Sequence, residues 1–193
     1  MSPMHLLSRM QQRFAREDRG AAAVEFALIL PILLLLYLGT LEASSLITVD
    51  RRISVISSTV GDLIARWDPE TPTMTADDMT DYFRASEGII MPYGTDGLLQ
   101  VVSLIEVESD GSTSVVWSRG FNGATQRSAG SEYPDIPANL RTVAASGSGF
   151  VVAAEASYGY TPVLGMVFTR EFNLYSESFY LPRFGQEITE PSG

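Results

Sequence analysis

The chain has no cysteine, no lysine and a single histidine, His5. Each absence closes off chemistry. Without cysteine there is no disulfide framework, no thiolate metal site and no thiol nucleophile. A cysteine-free chain nevertheless suits oxidising and reducing compartments alike. His5 lies in the polar stretch ahead of the first apolar run, so Ser-His-Asp, Cys-His and histidine-based metal centres are excluded from all that follows. Every cation is therefore an arginine, and only one run of the sequence is long and apolar throughout.

Charge is unevenly placed. The formal net charge is −10, yet Arg9, Arg13, Arg16 and Arg19 precede Gly20 with only Glu17 and Asp18 against them. From Ala43 onward nine arginines face nineteen acids. An acidic body argues against nucleic acid as a partner, because phosphates need a basic face that displaces their counterions. A basic N-terminus beside an apolar run instead fixes orientation in a bilayer, with the arginines kept in the cytoplasm.

The apolar run, AAAVEFALILPILLLLYLGTL, occupies residues 21–41. As a helix it spans roughly 30 Å, the thickness of the hydrocarbon core. About a dozen Leu, Ile, Val and Phe residues each favour insertion by about 0.3–0.6 kcal/mol. Glu25 opposes it by at most ~3 kcal/mol, and by less near the cytoplasmic end. Tyr37 stands toward the far interface, where a ring with a polar tip is favoured. A buried helix of a soluble protein would need apolar partners on every side, and no second such segment is present. Ala43 and Ser45 could suit a signal cleavage site, but the run exceeds the usual 7–15 residues of a signal core.

The most informative residues are Gly20-Ala21-Ala22-Ala23-Val24-Glu25-Phe26. A basic leader ends in glycine, and a glutamate lies five residues beyond it within an apolar helix. This pattern resembles the type IV prepilin processing site. The resemblance implies cleavage between Gly20 and Ala21 by a membrane-embedded prepilin peptidase, with removal of leader residues 1–20. Glycine leaves the backbone open to a close approach. Cleavage would create an ammonium on Ala21 one helical turn from Glu25, and a carboxylate in lipid needs a cation or a proton. By the same resemblance, the cation is the terminal amine of a neighbouring subunit. Ala21 replaces the phenylalanine of major pilins, and Phe26 stands where Flp-type pilins have tyrosine.

The likeness continues. Residues 20–54 resemble the TadE/TadG-like pseudopilins of tight-adherence (Tad) pilus systems, in the Val-Glu-Phe-Ala string, the central Pro31 and the polar step at Glu42. The ending Tyr180-Leu181-Pro182-Arg183-Phe184-Gly185 resembles the aromatic-Pro-Arg close of that group. Pro31 removes a backbone hydrogen bond, which membrane helices tolerate when neighbours satisfy the freed carbonyl. It is read either as a simple kink or as a bending hinge.

Beyond the membrane, Leu46, Val49, Ile53, Ile56, Val60 and Leu63 step by three and four, with Asp50, Arg52, Ser57 and Ser58 assigned to the opposite face. The spacing predicts one helix over 21–66, about 69 Å long, ended by Trp67-Asp68-Pro69. Its stripe is expected to pack on the chain's own sheet; packing on other subunits is the alternative. A Thr/Pro-rich linker covers 69–74. A short helix follows to about residue 85, with Thr75 as N-cap and Asp77, Asp78 and Asp81 at its positive end.

From Leu98 the period becomes two. Strands are predicted over 98–108 and 113–118, joined by an Asp110-Gly111 hairpin, then over 149–160 and 171–181. A helix is expected over 138–145 and an irregular loop over 120–137. Residues 161–170 are ambiguous.

Acid–base chemistry could rest only on carboxylates. Glu106 and Glu108 read as a solvated strand edge. Glu155 interrupts an apolar strand and is the best candidate for a buried carboxyl, with Arg119 or Arg170 as its expected partner. Gly147-Ser148-Gly149 reads as a turn, not a phosphate loop. Trp117, Tyr158 and Tyr160 could stack on sugars, though sheet packing is the more economical use.

The expectation is therefore an α+β, pilin-like fold, with a long N-terminal transmembrane and stalk helix packed on an antiparallel sheet of about four strands. Its divisions are a cytoplasmic leader (1–20), the helix (20–66), a linker with a short helix (67–97) and a periplasmic β domain (98–193). No catalytic residue, metal or cofactor is expected. The resemblance implies a non-enzymatic minor pseudopilin of the inner membrane, N-terminus cytoplasmic, with access to a pilus tip. Its implied partners are pilin-like subunits, Tad assembly machinery, a prepilin peptidase and the lipid bilayer. An uncleaved, membrane-anchored periplasmic scaffold is the alternative.

Overall fold

The computed structural model describes residues 18–68, 74–147 and 149–192. The leader through Glu17, most of the expected Thr/Pro-rich linker and Ser148 lie outside the described residues.

Helix α1, Asp18–Ala65, runs unbroken through Pro31. At 1.5 Å per residue it is about 70 Å long. Its second half is the spine of the folded domain. Val49, Ile53, Ile56, Val60 and Ile64 are buried in a row and lie across strands β3 (Phe150–Tyr160) and β4 (Phe172–Tyr180). The stripe thus covers the chain's own sheet. Arg52 and Ser57, assigned by spacing to the opposite face, also turn inward. Ser57 is buried against Ser176 and Ser178 of β4. Arg52 donates to the carbonyls of Ile89 and Met91. The buried face is wider than a two-position seam because α1 packs on a sheet and a second helix at once.

That second helix, α2 (Ala76–Ile90), starts at Thr75 with a complete capping box: the Thr75 hydroxyl accepts from the Asp78 amide, and the Asp78 carboxylate accepts from the Thr75 amide. It continues five residues past the expected end. Ile90 is buried beside Val49, Ile53 and Ile56, and Arg52 of α1 takes up carbonyls at its C-terminus.

Strands β1 (Leu98–Val107) and β2 (Thr113–Phe121) form the hairpin signalled by Asp110-Gly111, with Gly111 at φ 85°. The four strands make one antiparallel sheet in the order β2-β1-β3-β4. Two cores result. Toward α1 and α2, Val102, Leu104, Trp117, Val152 and Ala154 pack with Val60, Ile64, Met79 and Phe83. On the other face, Ile105, Val107, Val115, Val151 and Ala153 meet Tyr133, Ile136 and Ala144. Ala144 belongs to helix α3, Ala138–Ser146, while Tyr133 and Ile136 come from the segment ahead of it. This second cover explains why β1 reads as an almost continuous apolar run.

A register shift lies between Leu104, paired with Trp117, and Ile105, paired with Val115. The extra residue, Val116, is a bulge that sends Val115 and Trp117 to opposite cores although they are two apart in sequence. Beyond it, Gly130 and Ser131 exchange backbone hydrogen bonds with Val115 and so cover part of the outer edge of β2.

Candidate functional site

Gly20, Ala21, Glu25 and Phe26 all lie on the first turns of α1. A Cβ built at Gly20 meets nothing within 4 Å, so its flanking backbone is open to an approaching molecule. Glu25 follows Ala21 by four residues, on the same helical face. None of the ion pairs among the described residues includes Glu25. The large apolar side chains from Val24 to Leu36 are 38–68% exposed. That bare apolar surface is what lipid or other apolar helices would cover.

The bare half of α1 joins the folded half at Glu42, which is only 3% exposed. Its carboxylate accepts from three consecutive amides of the β3–β4 loop: Met166 at 2.9 Å, Val167 at 3.2 Å and Phe168 at 2.8 Å. The amide of Phe168 is the main cause holding this carboxyl below its ordinary 4.5, against the opposing effect of burial. Thr40 and Ser45, just either side, return their hydroxyls to the carbonyls of Leu36 and Leu41.

At the other end of the helix, the Arg183 amide donates to the Ala65 carbonyl at 2.9 Å, and its guanidinium reaches Asp62 at 3.2 Å. Arg66 pairs with the same carboxylate. The aromatic-Pro-Arg ending thus closes over the C-terminus of α1 and satisfies one of its free carbonyls.

Glu155 is held on several sides at once. Its side chain is 13% exposed, and Arg127 grips it through two contacts, Nε to Oε1 at 2.7 Å and an Nη to Oε2 at 2.9 Å. The Tyr175 hydroxyl donates to it at 2.9 Å. Tyr133 donates to Glu155 and to Glu177, and Arg127 lies over the Tyr133 ring with its Cζ 4.2 Å from the centroid. Its hydrogen bonds to Glu155 raise the Arg127 guanidinium further. Burial pushes both phenols upward. Burial also lifts Glu177 above 4.5, with the Glu155 charge adding to it.

The expected partners of Glu155 are corrected here. Arg119 pairs with Glu190 at 2.8 Å, and no ion pair among the described residues includes Arg170. The reason is register. Arg119 and Ala154 both oppose Val102, which puts Arg119 on the face away from Glu155. Arg127 reaches the correct face because the segment after β2 folds back over it.

Chemically the cluster ties a loop to the sheet: each carboxylate accepts from a phenol, and the arginine neutralises one of the two. None of the ion pairs among the described residues includes Glu106 or Glu108, and Glu108 lies beyond the end of β1. Trp117 is buried and donates its Nε1–H to the Ile188 carbonyl at 2.7 Å, and Tyr160 packs edge-on against Tyr93. Neither ring is free to stack on a sugar. Among the described residues, no group of three or more His, Asp or Glu side chains is placed to hold a metal ion.

The architecture is α+β: one helix, bare over its first half and built into the domain over its second, is long and apolar enough to cross a membrane once. Residues 20–54 match the TadE-like protein family. The matched segment starts at Gly20, includes Glu42 and ends one turn into the buried stripe. Comparison with curated proteins and with solved structures finds no match.

Proposed function

We propose that this protein is a minor pseudopilin, or assembly subunit, of a Tad-type pilus in the bacterial inner membrane. α1 spans the bilayer once with the arginine-rich leader in the cytoplasm and the acidic domain in the periplasm. A prepilin peptidase removes residues 1–20, and the new Ala21 amine and Glu25 then take part in packing against pilin-like subunits and Tad assembly machinery. The role is structural rather than enzymatic, and it extends to incorporation at a pilus tip.

The observation that carries this reading is Glu25 without an ion-pair partner among the described residues, one turn past Gly20–Ala21, on a helix whose apolar surface no other part of the domain covers. A carboxylate at that depth calls for a cation or a proton, and the reading assigns it the terminal amine of a neighbouring subunit. The TadE-like match over the same residues supports it.

A second reading is favoured by one feature. The Gly20–Ala21 bond lies inside α1, which begins at Asp18, so a peptidase must unwind that turn. If it does not, the protein is an uncleaved membrane-anchored scaffold of the envelope. Intact mass of the membrane-extracted protein, with and without co-expressed prepilin peptidase, separates the two. Loss of residues 1–20 only with active peptidase, blocked by a bulky replacement of Gly20, is expected. A leader retained beside active peptidase overturns the pseudopilin reading.

A further inference from the structure

The segment between β3 and β4 is apolar where it should be polar. Residues 161–169, TPVLGMVFT, contain no charge in a domain rich in acids. Val163 is 84% exposed and Met166 65%, with Leu164 and Val167 also open. Loops at a water-facing surface rarely gather four such side chains without a partner.

Its position names the partner. β3 ends at Tyr160, which packs in one apolar cluster with Leu46 and Val49 of α1. Further along, the amides of Met166, Val167 and Phe168 reach Glu42. Val167 then touches the helix at Gly39, where an added Cβ would meet its Cγ2 at 3.6 Å. The contacts step from 46 to 42 to 39 along α1, toward the apolar span and into its last turn. A loop reaching Gly39 is level with helix residues that the bilayer covers.

The backbone is prepared for such a place. An unpaired amide in a water-poor layer is strongly unfavourable. Glu42 pairs three in a row, through charge-assisted bonds that also satisfy the carboxylate. Arg170, exposed immediately after the apolar stretch, suits the level of lipid phosphates.

We propose that the β3–β4 loop is a second membrane contact: clamped by Glu42 to the exit of α1, it lays Val163, Leu164, Met166 and Val167 into the interfacial layer of the leaflet that the helix leaves. The loop thereby fixes how the domain sits on the membrane, which a single helix alone leaves free to rotate. The inference rests on α1 being a membrane span.

The absence of cysteine makes a clean test. Leu164→Cys, Leu34→Cys and Ser109→Cys are each labelled with an environment-sensitive NBD probe in the full chain. The proteins are reconstituted in phosphatidylcholine–phosphatidylglycerol vesicles, with and without nitroxide-bearing lipids. Probes at 34 and 164 should be blue-shifted and quenched by the nitroxides, and the probe at 109, in the far hairpin turn, should be neither. Quenching at 34 while 164 behaves like 109 overturns the loop contact and leaves the anchor standing. No quenching at 34 or 164 overturns the anchor itself. A probe at 164 that is shielded but not quenched, and becomes exposed as protein per vesicle is diluted, identifies a second copy as the occupant and also overturns the proposal.

Discussion

The ring of Tyr180 lies directly against the backbone of Gly61: a Cβ at Gly61 would come within 2.7 Å of Tyr180 Cδ2 and 3.1 Å of the Ala154 Cβ. α1 and the sheet meet here with no room for a side chain. Alanine at an exposed helix position gains about 1 kcal/mol over glycine. Here that gain is outweighed by overpacking, about 1–3 kcal/mol. Gly61→Ala should therefore lower the thermal midpoint of the detergent-solubilised protein, and Gly61→Val should lower it further. A rise with alanine would mean that the ring swings aside freely.

The Arg127–Glu155 pair should behave as a coupled unit. Arg127→Met leaves a half-buried carboxylate with only phenols for partners and should cost about 1–3 kcal/mol. Adding Glu155→Gln should recover part of that loss. A double-mutant cycle by urea unfolding measures the coupling, expected near 1 kcal/mol for residues in direct contact. Strict additivity would show that the pair holds nothing together.

Glu177 should give the opposite pH response to an ordinary surface acid. Its folded carboxyl is raised above 4.5, chiefly by burial. Above that raised value the ionised form is disfavoured in the folded state, so stability is lost as pH rises through it; below 4.5 both states are protonated and the penalty vanishes. Glu177→Gln, which keeps an oxygen for Tyr133 to donate to, should therefore stabilise the domain at pH 7. That advantage should shrink as the solution approaches pH 4. Urea midpoints at the two pH values test it.

Glu42 works in the reverse direction. Its folded carboxyl is held below 4.5, so its contribution is full above 4.5 and is lost as pH falls through the folded value. Hydrogen exchange of the Met166, Val167 and Phe168 amides, corrected for intrinsic rate, should accelerate on acidification below 4.5. In Glu42→Gln this pH dependence should disappear. Exchange that is slow and unchanged down to pH 3 would mean that the loop is held by its apolar contacts alone.

The parts of this structure that could be read in the sequence are those with local causes. The Asp110-Gly111 hairpin, the Thr75 cap and the row from Val49 to Val60 follow from residues a few positions apart. The features that could not be read come from residues brought together by the chain's path. The bulge at Val116 reverses the facing of Trp117 relative to Val115, so no strict period of two places both rings of residues correctly. Ser57 looks like a solvent residue until Ser176 and Ser178 are set against it. Glu155 announced a buried acid by interrupting an apolar strand, but its partner sits in a segment without periodicity, and only register shows why Arg119 cannot reach. In that segment the one available hint was Tyr133 and Ile136, large apolar residues in what otherwise reads as a loop. Glu42 was visible as a polar step; the three amides it gathers were not.

The role proposed for Glu25 gives the last expectation. Replacing it with leucine removes an insertion cost of at most ~3 kcal/mol, so Glu25→Leu should enter the membrane at least as well as the parent chain. Cleavage after Gly20 should also persist, because the bond and its glycine are untouched. What should be lost is association: a carboxylate that pairs with the terminal amine of a neighbour cannot be replaced by an apolar side chain. Co-isolation of pilin-like subunits with the cleaved protein, compared between parent and variant at equal membrane levels, reads this directly. Undiminished association in Glu25→Leu would mean that the apolar surface from Val24 to Leu36 is sufficient for packing. Glu25 would then be a tolerated cost in the span, and the case for pairing with Ala21 across subunits would fall with it.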